Sequence, residues 1–239
     1  MAEQESKTGY GQFHRRVLEG NAAVFAVVAT VAIMIGGMVE LIPMFTASYG
    51  PERADWVTPY TPLEVAGRDI YIREGCYLCH SQMVRPMRAE ILRYGEWTRA
   101  PEYMYDHPFL LGSRRMGPDV QRVGGKYPDA WHYEHMRDPR STSPGSVMPP
   151  YAWLLRDSID PDDVAASVRA LRKVGVPYSD DDEANVANQL QAQGSAIVAR
   201  LAGTGIETTW DREIVAMIAY LQRLGQDGRR ALSEQGSGR

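Results

Sequence analysis

Residues 76–80 read Cys76-Tyr77-Leu78-Cys79-His80, the C-x-x-C-H spacing that attaches a c-type haem. In this arrangement each thiol bonds covalently to one vinyl group of the porphyrin. The adjacent imidazole then becomes the proximal ligand of the iron. These are the only two cysteines in the chain, so the sequence predicts one covalently bound haem c.

Two cysteines at this spacing could also belong to a structural zinc site or to a dithiol redox pair. A structural zinc ion takes four protein ligands, and no second paired motif is formed by the other histidines (His14, His107, His132 and His135). A redox C-x-x-C usually follows a βαβ pattern and does not need the trailing histidine. Covalent haem attachment is therefore the favoured interpretation.

An apolar run, AAVFAVVATVAIMIGGMV at residues 22–39, carries no charge. As a helix it would span roughly 27 Å, close to the thickness of the hydrocarbon core of a bilayer. A buried helix of a soluble domain is rarely apolar on every face, and a signal peptide usually has a shorter apolar region. The run predicts a transmembrane anchor helix over residues 20–45, held in the lipid bilayer.

The charges that flank this run predict its orientation. Lys7, Arg15 and Arg16 precede it, whereas Glu40 follows it. By the positive-inside rule, residues 1–19 form a cytoplasmic N-terminus and the rest of the chain is periplasmic. Bacterial c-type haem is attached on the outer face of the cytoplasmic (inner) membrane, so the motif and the charges predict the same topology.

Beyond the anchor the chain is long enough for one domain. Residues 46–61 are rich in Pro, Ser, Thr and Tyr and are predicted to be a linker. Residues 62–225 are predicted to form an all-α periplasmic domain, followed by a mobile polar tail over 226–239. The net charge of −4 is mild, and we expect no nucleic acid as a partner.

Two predicted helices carry a resemblance to the class I cytochrome c fold. One starts at Pro62 and runs into the C-x-x-C-H motif; the other covers 211–225, with an apolar face formed by Ile214, Met217, Ile218 and Leu221. In class I cytochromes the first and last helices cross each other. The resemblance assigns Gly67 and Tyr71 to the contact between them.

Met116-Gly117-Pro118-Asp119-Val120 is similar to the Gly-Pro element of the same cytochromes. There a proline carbonyl accepts a hydrogen bond from the proximal imidazole, which fixes the ring and raises its basicity. The resemblance assigns this role to Pro118. An ordinary turn is the alternative interpretation.

The second axial ligand has several candidates, because six methionines lie between Met83 and Met148. The run 146–151, SVMPPY, stands out because its prolines stiffen the loop, and in class I cytochromes the ligand methionine commonly precedes a proline. Met148 is therefore the predicted ligand. Met83 and Met87 lie too close to the attachment site, and the remaining three are expected to be packing residues (Met104, Met116 and Met136).

A bis-histidine site that uses His132 or His135 is an alternative. Both residues fall on a predicted helix, Asp129–Arg137, where packing or hydrogen-bonding roles are expected. With histidine and methionine ligands both axial positions are filled, so no substrate reaches the iron without displacing a ligand. The thioether also favours ferrous iron relative to bis-histidine ligation. Such a centre relays single electrons.

Longer motifs resemble one family, the monohaem subunit of cbb(3)-type haem-copper oxidases, known as FixO or CcoO. The resemblance covers the anchor and the chain to about residue 157. The motifs that carry it are REGCYLCHSQMVRP (73–86), YGE (94–96), DHPFLLGSRRMGPD (106–119), WH (131–132), DPR (138–140) and SVMPPYAWL (146–154).

This resemblance implies an electron-transfer subunit of a terminal oxidase, with no oxygen-reducing site in this chain itself. The partner would be a catalytic oxidase subunit that carries a low-spin haem b, a high-spin haem b and copper. There oxygen would be reduced to water with coupled proton pumping. The electron donor would be a dihaem cytochrome c subunit or a soluble cytochrome c.

Residues 81–116 are an insertion relative to small cytochromes. They interleave arginines with tyrosine and tryptophan, which are residue types enriched at the centres of protein interfaces. We expect the insertion to dock on the catalytic subunit, the alternative being a solvated loop. Residues 158–202 are predicted to be an accessory pair of helices that start near Asp160 and Ser179.

Two other functions fit part of the pattern. Another anchored monohaem cytochrome, such as a nitric oxide reductase small subunit or an electron shuttle, would share the anchor, the motif and the methionine but should lack the insertion. A scaffold subunit, whose haem stabilises an assembly rather than carrying electrons, would share all of these features.

Overall fold

The computed structural model of the chain describes residues 14–46 and 54–237. Those residues are mostly helical and contain no β-strand; a single bridge joins Ser158 to Arg212. The chain divides into two compact units, residues 1–50 and 51–239. Part of the predicted cytoplasmic N-terminus (1–13) and part of the predicted linker (47–53) lie outside the described residues.

The N-terminal unit contains a π-helical turn, His14–Glu19, and helix α1, Ala22–Thr46. The side chain of Asn21 accepts a hydrogen bond from the N–H of Ala23 at 3.1 Å and so caps the start of α1. Ala22–Pro43 is long and apolar enough to cross a membrane, and none of this stretch is buried within the structure. A helix apolar on all sides suits lipid better than water.

The second unit is built from nine further helices among its described residues. They are α2 (Pro62–Arg73), α3 (Arg88–Tyr94), α4 (Asp129–Arg137), α5 (Pro139–Thr142), α6 (Pro161–Lys173), α7 (Asp180–Ala184), α8 (Val186–Ala202), α9 (Glu213–Arg223) and α10 (Gln226–Ser237). Three 3₁₀ turns, Cys76–Leu78, Ala100–Tyr103 and Ala152–Leu155, lie between them.

Helix α2 begins with a capping box. The hydroxyl of Thr61 accepts from the N–H of Glu64 at 3.4 Å, and the carboxylate of Glu64 accepts from the N–H of Thr61 at 2.9 Å. Pro62 occupies the first turn, where its missing N–H costs nothing. These contacts start the helix at the predicted residue, and α2 then leads directly into the 3₁₀ turn of the C-x-x-C-H motif.

Helices α2 and α9 form the most extensive helix pair of the domain and cross at Gly67. A Cβ atom built on Gly67 would overlap the carbonyl of Ala216 and lie 2.7 Å from the Cβ of Tyr220. The ring of Tyr71 lies 5.4 Å from the ring of Tyr220, measured between centroids. Gly67 and Tyr71 therefore both lie at the crossing, as expected, and only a glycine lets the two backbones come this close.

Helix α9 differs from the prediction of a single apolar face. It begins at Glu213, and residues 213–221 are all buried. The reason is that α2 covers one side of α9 while α4 and α8 cover others. The helix is the centre of the domain rather than an outer layer.

The two helices predicted as accessories belong to the same core. Helices α6 and α8 both pack against α2, and α8 also packs against α9. The second predicted helix is interrupted at Asn185, which separates α7 from α8. The expected apolar stripes are buried in the single core cluster (Val164, Val168 and Leu171 on α6; Val186, Leu190, Ile197 and Leu201 on α8).

The segment after Gly225 was predicted to be a mobile tail, but the structure forms helix α10 there, as far as Ser237. Asp227 is buried, pairs with Arg223 and Arg230, and accepts a hydrogen bond from the N–H of Thr58 at 3.1 Å. Ala231 is buried as well. Composition did not reveal this helix, because the anchoring partner of Asp227, Thr58, is distant in sequence.

The insertion 81–116 is a packed part of the domain. Its buried apolar residues are Val84, Tyr103 and Leu110. Asp106 lies 3.7 Å from the guanidinium of Arg68 on α2, and both side chains are almost completely buried. Arg68 also donates to the carbonyl of Pro108 at 2.7 Å. The alternative of a solvated loop therefore does not describe this segment.

We predict that Gly67→Ala destabilises the domain, because the added Cβ must push α2 away from α9. Overpacking of this kind costs at least about 2 kcal/mol, which lowers the unfolding temperature by several degrees in a domain of this size. The measurement is thermal unfolding of the full chain in detergent. Gly203→Ala is the control, because a Cβ at Gly203 comes no closer than 3.4 Å to its neighbours; equal melting of the two variants would contradict the prediction.

Candidate haem site

Cys76 begins the 3₁₀ turn that follows α2, and Cys79 comes directly after that turn. The N–H groups of Cys79 and His80 donate to the carbonyl of Cys76 at 3.1 and 2.9 Å, which keeps the motif compact. Neither cysteine forms a disulfide. Burial, with a smaller effect of Glu74, raises the pKa of the Cys76 thiol to about 12. A thiol that stays protonated at neutral pH is unlike the low-pKa thiolate of a redox C-x-x-C pair.

The ring of His80 is held by the 117–118 segment. Its Nδ1 lies 2.8 Å from the carbonyl oxygen of Pro118, a distance at which the ring N–H donates to that oxygen. A Cβ on Gly117 would lie only 2.6 Å from both ring nitrogens, so the backbone rests directly against the imidazole. With Nδ1 carrying the proton, Nε2 offers its lone pair to a metal. The structure thus brings together His80 and Pro118, which the sequence had assigned as a pair.

Met148 lies in the loop between α5 and the 3₁₀ turn Ala152–Leu155. Its side chain is half-buried against the core, and its N–H donates to the hydroxyl of Ser146 at 3.2 Å. The N–H of Tyr151 donates to the carbonyl of Met136 at 2.8 Å, which ties the loop to α4. Met136 is buried, as expected of a packing residue, whereas Met116 is 65% exposed and does not pack as predicted.

The two histidines on α4 have other partners. His135 lies 2.6 Å from the hydroxyl of Thr142 through its Nδ1, and its ring stacks on Trp131 with centroids 4.5 Å apart. Burial, with a smaller effect of the nearby His80, lowers the pKa of His135. His132 is 1% exposed, and burial lowers its pKa to about 4. Packing and a hydrogen bond therefore account for His135, whereas His132 is packed in the core with its Nε2 buried and without a hydrogen-bond partner among the described residues.

The donor set suits a porphyrin iron better than a bare metal ion. Among the described residues, no cluster of three or more His, Cys, Asp or Glu side chains could hold a metal. A haem iron brings four nitrogen ligands of its own and needs only axial ligands from the protein. His80, held through Nδ1, and the two unpaired thiols beside it match that requirement.

Sequence reasoning missed a polar network behind His80. The carboxylate of Asp119, directly after Pro118, accepts from the hydroxyl of Ser81 at 2.7 Å and from the N–H of Met83 at 2.9 Å. Arg115 donates to the same hydroxyl at 2.7 Å. The signal in the sequence was slight: a serine after the haem motif and an acid after the Gly-Pro pair.

We predict that acid destabilises the domain through His132. The unfolded side chain has a pKa near 6.5 and the native one about 4, so between these values the unfolded state binds more protons. The contribution of His132 to the free energy of unfolding is therefore fully present above about pH 6.5. It falls as the pH drops towards 4, by up to ~3 kcal/mol. Urea unfolding of the full chain in detergent at a series of pH values measures this loss. The loss should shrink in His132→Phe; an unchanged slope would contradict the assignment.

Over residues 15–227 the chain matches the family described as cytochrome c oxidase, mono-heme subunit/FixO. The matched range includes the apolar helix α1 and nearly all of the helical domain. A comparison with curated proteins finds no match. Because the family match spans most of its length, the chain belongs to the FixO family, the mono-haem subunits of cytochrome c oxidase.

Proposed function

We propose that this chain is the electron-relaying subunit of a cbb(3)-type cytochrome c oxidase. It accepts single electrons from a dihaem cytochrome c subunit or a soluble cytochrome c and passes them to the haem b of the catalytic subunit. Oxygen is reduced there, at the high-spin haem b and copper, with coupled proton pumping. The observation that carries the proposal is the imidazole of His80, fixed by Pro118 beside two unpaired cysteines in a chain of this family.

In this proposal Cys76 and Cys79 would attach one haem c, and His80 and Met148 would bind its iron. When bound, the haem would supply one-electron iron chemistry. Pro118 keeps the proton of His80 on Nδ1, which leaves the lone pair of Nε2 available to a metal. The thioether of Met148 would favour the ferrous state, and with both residues bound the iron would have no open position for oxygen. Bond-making chemistry is thereby left to the catalytic subunit.

We assign the domain to the class I cytochrome c fold with a family-specific insertion over residues 81–116. The crossing of α2 and α9 at Gly67, with the haem motif directly after α2, supports this assignment. Residues 20–45 would anchor the chain in the bacterial inner membrane. The flanking charges favour a cytoplasmic N-terminus and a periplasmic domain.

The insertion offers a surface for the catalytic subunit. This insertion surface consists of exposed apolar residues, each with an exposed arginine next to it or two residues away in the sequence (Met87, Leu92 and Met116; Arg88, Arg93 and Arg114). Within the described residues these three arginines form no ion pair, so their charges remain available to carboxylates of a partner. The side chain of Leu92 on α3 is 77% exposed. Apolar centres with cationic rims are typical of docking sites.

The insertion also separates this proposal from the other functions. An electron shuttle or a nitric oxide reductase subunit would not need a packed segment of this length with an exposed apolar face. A scaffold role remains distinct, because it needs the surface but not the second axial ligand.

We predict that Met148→Leu in the assembled oxidase leaves haem attachment and assembly intact but lowers the reduction potential of the haem, because the thioether is lost. Oxidase turnover should fall by about tenfold or more, and the reduced haem should bind carbon monoxide. Met104→Leu, at a methionine that does not belong to the insertion surface, is the control and should change neither. Normal turnover in Met148→Leu would sink the ligand assignment, and loss of assembly alone would favour the scaffold.

We also predict that Leu92→Glu combined with Arg93→Glu weakens docking by about tenfold or more, because it buries new charge in the interface. The measurement is the ratio of b-type to c-type haem after affinity purification in mild detergent. Val174→Glu, at an exposed valine next to α6, is the control. Equal ratios in the double variant and the control would show that this surface does not dock.

A further inference from the structure

Pro118 cannot be held in place by its own N–H, since proline has none. Its neighbours hold it instead. The N–H of Gly117 donates to the carbonyl of Cys79 at 3.0 Å, and the N–H of Val120 donates to the carbonyl of Ser81 at 2.9 Å. The two segments that carry the bond between His80 and Pro118 are thus joined on both sides of it.

Asp119 completes this junction from the side chain. Its carboxylate is fully buried and accepts hydrogen bonds from the hydroxyl of Ser81 at 2.7 Å and from the N–H of Met83 at 2.9 Å. It also accepts from the N–H of Gln121 at 2.9 Å. One carboxylate therefore fixes the residue after Pro118 to the residues that follow His80.

Arg115 links this carboxylate to the insertion. Its guanidinium donates to the hydroxyl of Ser81 and to the carbonyl of Met83 at 2.7 and 2.8 Å, and it lies 3.5 Å from the carboxylate of Asp119. It also pairs with Glu90 on α3 at 2.6 Å. Arg85 is the second partner of Glu90. Two arginines and two carboxylates thus form one network with balanced charge.

We propose that Asp119 and Arg115 are positioning residues that hold the carbonyl of Pro118 against His80 and set the reduction potential of the haem with opposite signs. The proposal rests on the haem assignment given above. It adds that the insertion helix α3 supports the proximal ligand through Arg115 and Glu90, besides any role in docking.

The signs follow from charge and from ligand basicity. Ferric haem carries one more positive charge than ferrous haem, so a nearby carboxylate stabilises the ferric state and a nearby guanidinium destabilises it. A firm hydrogen bond to Pro118 makes the imidazole a stronger donor, which also favours ferric iron. Removing the charge of Asp119 therefore raises the potential. Removing the charge of Arg115 leaves the negative charge of Asp119 uncompensated, and therefore lowers the reduction potential of the haem.

The experiment is potentiometric titration of the haem in the full-length chain in detergent, for Asp119→Asn and Arg115→Gln. We expect the ratio of reduced to oxidised haem at a fixed solution potential to rise about tenfold in the first variant and to fall in the second. A tenfold change corresponds to about 59 mV for one electron. Asp227→Asn is the matched control, since Asp227 is a buried carboxylate paired with Arg223 and Arg230.

Opposite shifts, with an unchanged potential in Asp227→Asn, support the proposal. Shifts of the same sign in both variants would mean that loosened packing alone moves the reduction potential, and this result overturns the proposal. Shifts no larger than that of Asp227→Asn overturn it as well. If Asp119→Asn does not retain haem, Glu90→Gln is measured in its place, because this variant removes the next carboxylate of the same network. A rise in the ratio of reduced to oxidised haem that is smaller than tenfold then supports the proposal, and no rise overturns it. Covalent haem staining of the wild type, read independently, tests the haem assignment itself.

Discussion

The contact of Gly67 with the backbone of Ala216 is the constraint on which the rest of the domain depends. It lets α2 lie directly on α9, while the capping box at Thr61 fixes where α2 begins and the core around Tyr220 holds the helix in place. The end of α2 in turn places Cys76, Cys79 and His80. The haem motif is therefore positioned by a helix crossing that contains no haem-binding residue.

Local patterns in the sequence predicted the elements whose causes are local. Pro62 after a capping threonine, the stripe on α6 and the limits of α4 all follow from residues a few positions apart. Helix α10 could not be predicted in this way, because Asp227 is anchored by Thr58, 169 positions away. The exposure of Met116 and the burial of Asp119 were missed for the same reason: neighbours in space, not in sequence, decide them. At the candidate site, the pair of His80 and Pro118 came from a motif resemblance, whereas the network behind it has no short motif.

Buried ion pairs attach the insertion to the rest of the domain. Asp106 meets Arg68 and Glu102 meets Arg122, and in both pairs the two side chains are almost completely buried. Removing one member of such a pair leaves an uncompensated charge, which costs about 3–5 kcal/mol. Residues 81–116 are therefore part of the folded domain, and the side chains of these buried pairs cannot be changed singly without loss of stability.

The burial of Cys76 has a consequence for biogenesis. Only 9% of this residue is accessible in the folded domain, so an enzyme that ligates porphyrin to the thiol cannot reach it there. If Cys76 carries the proposed covalent haem, ligation has to precede compaction, while α2 and α9 are still apart. The haem would then be a surface on which the polypeptide closes, and folding and cofactor loading would be one process rather than two.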